Sequence, residues 1–297
     1  MNSIPFLRLP FLVIQEVFSM MSPFDIIHFS KVSKRSKRIV KGIINTRLHN
    51  KYQTEVYICD DYGIGFKSGE RGWYYMYTSK RSHANRAVME GTDHGNSLGV
   101  FQQKFTRNKL DGFKNYFNLC QDLSVDITGL DLDMDNVENK MIIDFLKTKQ
   151  ESFEWCEVCS STERGEEIKH LLENLKITKN LCISPQISED SETNLPKDVE
   201  NLFFHSSKFV KLEQVLALKS KRIVLDSTKF TNEDISVLLK SWIASESNLN
   251  LEHLKIGGFG GRTSVPDGPD IKREDGKKAR VIFARSALGT TLDMFVH

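Results

Sequence analysis

The sequence predicts an α+β protein with short N-terminal helices, a β-hairpin region, and an irregular strand–helix repeat closed by a small β cap. Three observations predict it. Apolar residues recur at three- and four-residue steps through residues 1–45. They change to period two between residues 52 and 78. From residue 119 short strand-like triplets alternate with helical stripes at a recurring interval.

In order, Leu9, Leu12, Val13, Val17, Met20 and Met21 form the first helical stripe. Ser22-Pro23 breaks it before Ile26, Ile27, Phe29 and Val32 begin another. Val56-Tyr57-Ile58, Ile64-Gly65-Phe66 and Trp73 to Tyr77 read as strands of a meander, with Ser68 to Gly72 as turn material. Residues 79–118 are polar, with helical hints only at Phe113, Tyr116 and Phe117.

Helices are then predicted over 141–146, 168–175 and 235–242, where Ile168, Leu171, Leu172 and Leu175 repeat the spacing of Ile235, Leu238, Leu239 and Trp242. Thr231 with Asp234 reads as a helix cap. The triplets at Asn180–Ile183, Asn201–Phe204, Arg222–Leu225 and His253–Ile256 step by 21, 21 and 31 residues, with weaker copies at Leu123–Ile127 and Phe153–Val158. This pattern resembles a leucine-rich-repeat-like solenoid without the full asparagine ladder; a doubly wound sheet is the alternative. After a glycine-rich and proline-containing loop to residue 269, Ile271 to Arg273 and Ala279 to Phe283 flank the turn pair Asp275-Gly276, and Leu292 to Val296 is the last strand.

The 297 residues, 39% hydrophobic and 27% charged, supply enough apolar material for two domains. Forty-one basic against 39 acidic residues give a net charge of +2, which excludes reading a nucleic-acid or membrane surface from overall charge. No apolar run approaches the ~20 residues of a membrane span. Arg8 and Pro10 interrupt the first one, as a secretory signal would not allow, so a cytoplasmic or nuclear location is expected. Five cysteines, an odd and sparse count, imply reduced thiols.

Motifs of metal, redox or catalytic chemistry are imitated but not completed. Cys156-x-x-Cys159 falls in a strand pattern, where neither thiol gains a helix dipole. His170 and Cys182 could extend it to a zinc set only from a helix face and a later strand. Asp131, Asp133 and Asp135 open like a calcium loop, but Asn136 and Ile142 stand where Gly and the bidentate Glu belong, so a solvated acidic turn is expected. Gly63, Gly65 and Gly69 precede a strand, not the helix a dinucleotide needs. The sequence therefore nominates no catalytic residue, metal ligand or cofactor. The basic run Lys31, Lys34, Arg35, Lys37, Arg38 and Lys41 reads as a solvated helix face.

Phe6-Leu7-Arg8-Leu9-Pro10, followed by Val13, Val17, Met21, Pro23, Asp25, Ile26, Ile27, Phe29-Ser30, Val32 to Arg35 and Val40, resembles an F-box over residues 4–45. The remainder, ending in Ile271 to Ala279 and Met294-Phe295-Val296, resembles the nematode-type F-box-associated domain. Phe11-Leu12 replaces the acidic residue often found after Leu-Pro, and the late tryptophan of many F-boxes is absent. The resemblance implies a three-helix F-box (1–45), a connecting region with the hairpin (46–118) and a repeat-like domain with the β cap (119–297). It implies a substrate receptor that binds a Skp-type adaptor, and through it a cullin, in a ubiquitin ligase. Adaptor contacts carried over by position are Leu9, Pro10, Val13, Val17, Ile26, Ile27, Phe29 and Val32.

The physics agrees, because a segment this short seldom buries a sufficient core and leaves apolar surface for a partner. Pro5, Phe6, Phe11, Phe18 and Phe24 are expected to enlarge that surface. The expected substrate surface is the strand row Cys182, Phe203, Val224 and Lys255, with the aromatic hairpin Trp73, Tyr75 and Tyr77 as second choice. The alternative function is a scaffold that holds the adaptor outside any ligase.

Overall fold

The computed structural model describes residues 6–48, 51–81, 87–91, 98–259, 270–286 and 289–297. Two compact units divide the chain, Met1–Asp131 and Leu132–His297. Helices and strands are mixed throughout, and among the described residues no helix is long and apolar enough to cross a membrane.

The first unit opens with α1 (Phe11–Met20), α2 (Pro23–Ser30) and α3 (Lys34–Ile43). Ser22 makes the predicted corner by capping α2: its Oγ accepts the Asp25 N–H at 3.2 Å, and Pro23 occupies the first turn, where no donor is needed. Ser33 caps α3 the same way through the Ser36 N–H at 3.0 Å. Phe6, Phe18 and Phe29 meet with ring centroids 5.3 to 5.9 Å apart, and Ile14, Val40 and Ile43 close the core around them.

α1 divides its apolar residues between two faces. Ile14 and Phe18, one turn apart, are buried, while Leu12, Val13, Val17 and Met20 stand in solvent. Both faces of α1 are apolar, so its periodicity does not say which one is inside. Phe18 and Phe24 are buried and do not enlarge the exposed surface; Pro5 lies outside the described residues.

β1 (Gln53–Ile58), β2 (Tyr62–Ser68) and β3 (Arg71–Thr78) form the predicted antiparallel meander. β5 (Leu98–Phe105) then runs parallel to β3, with β4 (Ala87–Gly91) antiparallel on its far side. α4 (Lys109–Asp122) carries Phe113, Tyr116 and Phe117 inward. Its close approach to β3 requires Gly112, where an added Cβ would sit 2.5 Å from the Tyr77 ring. The first unit therefore holds together the segments expected as separate regions divided at residue 45.

β6 (Gly129–Asp133) leads from the first unit into the second. It corrects two expectations: residues 123–127 are not a strand, and of the acidic run only Asp135 lies in a turn, since Asp131 and Asp133 belong to the strand and alternate with the buried Leu130 and Leu132.

In the second unit β7 (Ser152–Cys159), β8 (Lys176–Ile183), β9 (Asn201–Phe204), β10 (Arg222–Leu225) and β11 (His253–Phe259) are parallel neighbours. β14 (Gly289–Val296) joins β11 antiparallel, followed by β13 (Lys278–Ser286) and the two-residue β12 (Ile271–Lys272) at the edge. Gly276, at φ 96°, turns the predicted hairpin between β12 and β13. The loop expected before it lies outside the described residues over 260–269.

Leu181 and Ile183, Leu202 and Phe204, Ile223 and Leu225, and Leu254 and Ile256 are at most 1% exposed. They pack under the buried faces of α5 (Asn139–Lys147), α6 (Gly165–Asn174), α7 (Leu212–Leu216) and α8 (Asn232–Ile243). Residues of the other parity form the open face.

Thr231 and Asp234 close the predicted capping box at the start of α8. Thr231→Ala removes an acceptor for the Asp234 N–H and is expected to cost about 1 kcal/mol. Urea unfolding would show this as a lower midpoint at unchanged slope; an unchanged midpoint means water replaces the cap fully.

Candidate functional site

Two surfaces stand out as places where a macromolecule could bind. The first is the outer face of α1. Phe11, Leu12, Val13, Val17 and Met20 are all exposed, from 37% at Val17 to 87% at Met20, and Val32 beyond α2 is exposed as well. Five large apolar side chains in water on a ten-residue helix are a standing cost unless something covers them. The helix is held in place from its ends: the Arg35 guanidinium donates to the Leu7 carbonyl at 2.9 Å, and Lys51 Nζ donates to the Ser19 carbonyl at 2.9 Å.

Of the residues expected at this surface, Pro10, Val13, Val17 and Val32 are exposed, and Leu9 and Phe29 are half-buried. Ile26 and Ile27, each 2% exposed, are not presented outward. They line an inner pocket with Tyr52 and Phe66, where α2 rests on the sheet of its own unit. Met20 and Leu12 join the exposed set, and their apolar character was the available signal. The basic run of α3 lies mostly in solvent, with Lys37 paired to Asp122 at 2.8 Å.

The second surface is the open sheet face of the second unit. The register sets Cys182 opposite Phe203, Phe203 opposite Val224, and Val224 opposite Lys255, so the four expected residues form one half-buried row across β8 to β11. Glu157 extends the row on β7 and Asp293 on β14. A second row contains Asn180, Asn201, Arg222, His253 and Phe295. Within it Asn201 Nδ2 donates to Asn180 Oδ1 at 2.8 Å, and the His253 and Phe295 rings stack at 4.7 Å. Arg222 and Lys255 have no ion-pair partner among the described residues, so two cations face outward beside the apolar centre.

On the same face Cys182 Sγ lies 3.9 Å from His205 Nε2, and His205 Nδ1 lies 3.6 Å from Asp226. The order imitates a nucleophile, base and orienting acid, but the electrostatics oppose that use. Burial, and then the Glu157 carboxylate, push the Cys182 thiol up, toward its protonated form, whereas a nucleophilic cysteine needs the opposite.

The other candidates resolve structurally. Among the described residues no group of three or more His, Cys, Asp or Glu side chains could hold a metal ion. Cys156 is buried on the helix side of β7 and Cys182 is on the open side, while His170 bonds Asp144 at 2.9 Å. Asp135 accepts hydrogen bonds from Ser160, Ser161, Thr162 and Arg164 that fasten the loop after β7, and those from Ser160, Ser161 and Thr162 hold its carboxyl well below the usual range. Tyr75 and Tyr77 of the aromatic hairpin are core residues, Tyr75 stacking on Tyr116 at 4.3 Å, which removes most of the second-choice surface.

A family model for the F-box domain matches residues 6–48, which contain α1, α2 and α3. A second model, described as F-box associated, matches residues 190–256 and takes in β9, α7, β10 and α8. An uncharacterized protein of Caenorhabditis elegans is 29% identical over 108 residues, an alignment covering 36% of this chain and 25% of that protein. The chain thus spans about a quarter of the length of the curated relative it matches. No solved structure matches it.

Proposed function

We propose that this chain, carrying an F-box domain at residues 6–48 and an F-box-associated domain at 190–256, is the substrate-recognition subunit of a ubiquitin ligase of the SCF type. The observation that carries the reading is the uncovered apolar face of α1 inside the matched F-box. Pro10, Val13, Val17 and Val32 seat on a Skp-type adaptor, with Leu9 and Phe29 at the margin, and the adaptor brings the cullin. Ile26 and Ile27 contribute from within by fixing α2 on its own unit.

The open sheet face receives a protein substrate at Cys182, Phe203, Val224 and Lys255. Four strands at ~4.8 Å spacing give this row a span of roughly 14 Å, enough for a short extended segment. The chain has no catalytic part and needs no cofactor. It acts by tethering, raising the effective concentration of a target lysine near the charged conjugating enzyme. Such work belongs in the cytoplasm or nucleus.

Copurification tests the assignment. The full chain is expected to retain adaptor and cullin together, and Leu9→Asp with Pro10→Ala is expected to lose both. Retention of the adaptor by that variant refutes the docking surface. Recovery of the adaptor without a cullin supports a scaffold outside the ligase instead.

A further inference from the structure

Between α2 and β5 the first unit has a cleft of about 480 Å³, within the range of small-ligand sites. Its walls are Phe24 and His28 from α2, Tyr75 from β3, and Val100, Gln102 and Lys104 from β5. The strand register explains the grouping: Gln102 lies opposite Tyr75 and Lys104 opposite Tyr77, so these side chains share the face on which α2 rests. Phe24 and His28 each meet the Tyr75 ring edge-on at 6.1 Å, which fixes the apolar wall.

The basic groups here are not neutralised. Lys31, just past the end of α2, places its ammonium 5.6 Å above the Tyr116 ring. Neither Lys31 nor Lys104 makes an ion pair or side-chain hydrogen bond among the described residues. The acid in the lining, Asp25, is engaged by the Ser22 hydroxyl at 2.7 Å. Gln102 Oε1 is buried with no hydrogen-bond partner. A carboxamide oxygen left unsatisfied in a cleft lined by Lys104 and His28, with the Lys31 ammonium held over the Tyr116 ring outside that lining, is an arrangement a ligand would complete.

We propose that this cleft binds a phosphate monoester, with Lys31, Lys104 and His28 around the phosphate and the Gln102 carboxamide bonding a donor on the ester's organic part. A dianion matches two ammonium charges, and its three terminal oxygens accept from both lysines and the imidazole at once. A carboxylate brings one charge and a flat pair of oxygens, and satisfies the cluster less well.

The electrostatics run the same way. Burial, and then the charge of Lys31, push the His28 pKa down, with Asp25 opposing and Lys104 adding. Burial and Lys104 likewise push Lys31 down, with Cys120 opposing. The free cleft therefore disfavours its own positive charges. A bound anion reverses this, so by linkage phosphate uptake raises the His28 pKa.

The test uses the full chain with labelled histidine, titrated with inorganic phosphate, glycerol phosphate and a phosphoserine dipeptide. The expected result is saturable binding of the esters that moves the His28 resonance more than those of the other histidines and shifts its titration to higher pH. Lys31→Gln with Lys104→Gln is expected to weaken binding roughly a hundredfold, about tenfold per lost charge-assisted contact. His28→Gln, on an exposed position, serves as the second variant should the double substitution disturb folding. Tighter binding of glycerol phosphate supports a free metabolite as ligand, and tighter binding of the dipeptide supports a phosphorylated side chain. An unmoved His28 resonance with all three probes, or undiminished affinity in a folded lysine variant, overturns the proposal.

Discussion

Replacing Val13 and Val17 together by aspartate is expected to abolish adaptor binding while leaving the fold intact. The two side chains are one turn apart on α1, 44% and 37% exposed, at the centre of the outward stripe. In the bound state each would be a desolvated apolar anchor, and truncating such an anchor costs about 2 kcal/mol or more. A carboxylate in its place adds the penalty of a buried unpaired charge. Two such losses amount to roughly a thousandfold or more in affinity. In the free chain both aspartates project into water, where surface changes typically stay within about 0.5 kcal/mol each. Calorimetry against purified adaptor, paired with a thermal melt, checks both halves. Full affinity at an unchanged melt would mean that α1 is not the seat.

Trp242→Ala should have the largest effect on stability. The indole is completely buried in α8, and the Arg273 guanidinium lies over its ring at 5.2 Å. Arg273 is fixed by Nε to Asp275 Oδ1 at 2.9 Å, by Nη2 to Asp275 Oδ2 at 2.5 Å, and by Nη1 to the Leu249 carbonyl at 3.1 Å. Removing the indole leaves a cavity beneath a buried cation, so a loss of about 3–5 kcal/mol is expected. For a unit of this size that lowers the melting temperature by roughly 10 °C. Trp242→Phe keeps a ring under the guanidinium and should lose much less. Equal losses in the two variants would show that neither the filled volume nor a ring under the guanidinium accounts for the stabilisation, which would then belong to the indole itself. The Arg273 pairing pulls the Asp275 carboxyl down to about 2, so its contribution is present above the ordinary carboxylate range and fades as pH falls toward that value.

Much of the second unit was legible because its residues obey one rule at a time. Asn201–Phe204 and Arg222–Leu225 are each a polar residue followed by an apolar triplet at a repeated interval, and Thr231 with Asp234 marks where α8 begins. The constant step between triplets also aligned Cys182, Phe203 and Val224 before any register was known, since equal offsets in successive parallel strands put equivalent residues side by side. Where two rules overlap the reading fails. α1 is apolar on its core side and on its outer side, and periodicity cannot distinguish a face that packs from one that waits for a partner. β6 hides its two core leucines among aspartates, so charge suggested a turn where alternation specifies a strand. β5 mixes Gly, Gln and Lys with its apolar residues, and its pairing with β3 and β4 makes it a strand. The cleft beside it needed residues from α2, β3 and β5, and no linear spacing records that juxtaposition.

The outermost strand of the second unit's cap, β12, is two residues long, and Lys272, Lys277 and Lys278 cluster at its turn. β12 pairs with only Lys278 and Ala279 of the nine-residue β13, so an incoming chain is opposed at this corner chiefly by the lysine charges, a barrier that salt would lower. Concentrated solutions of the protein should therefore resist fibril growth from this corner better at low ionic strength than at high.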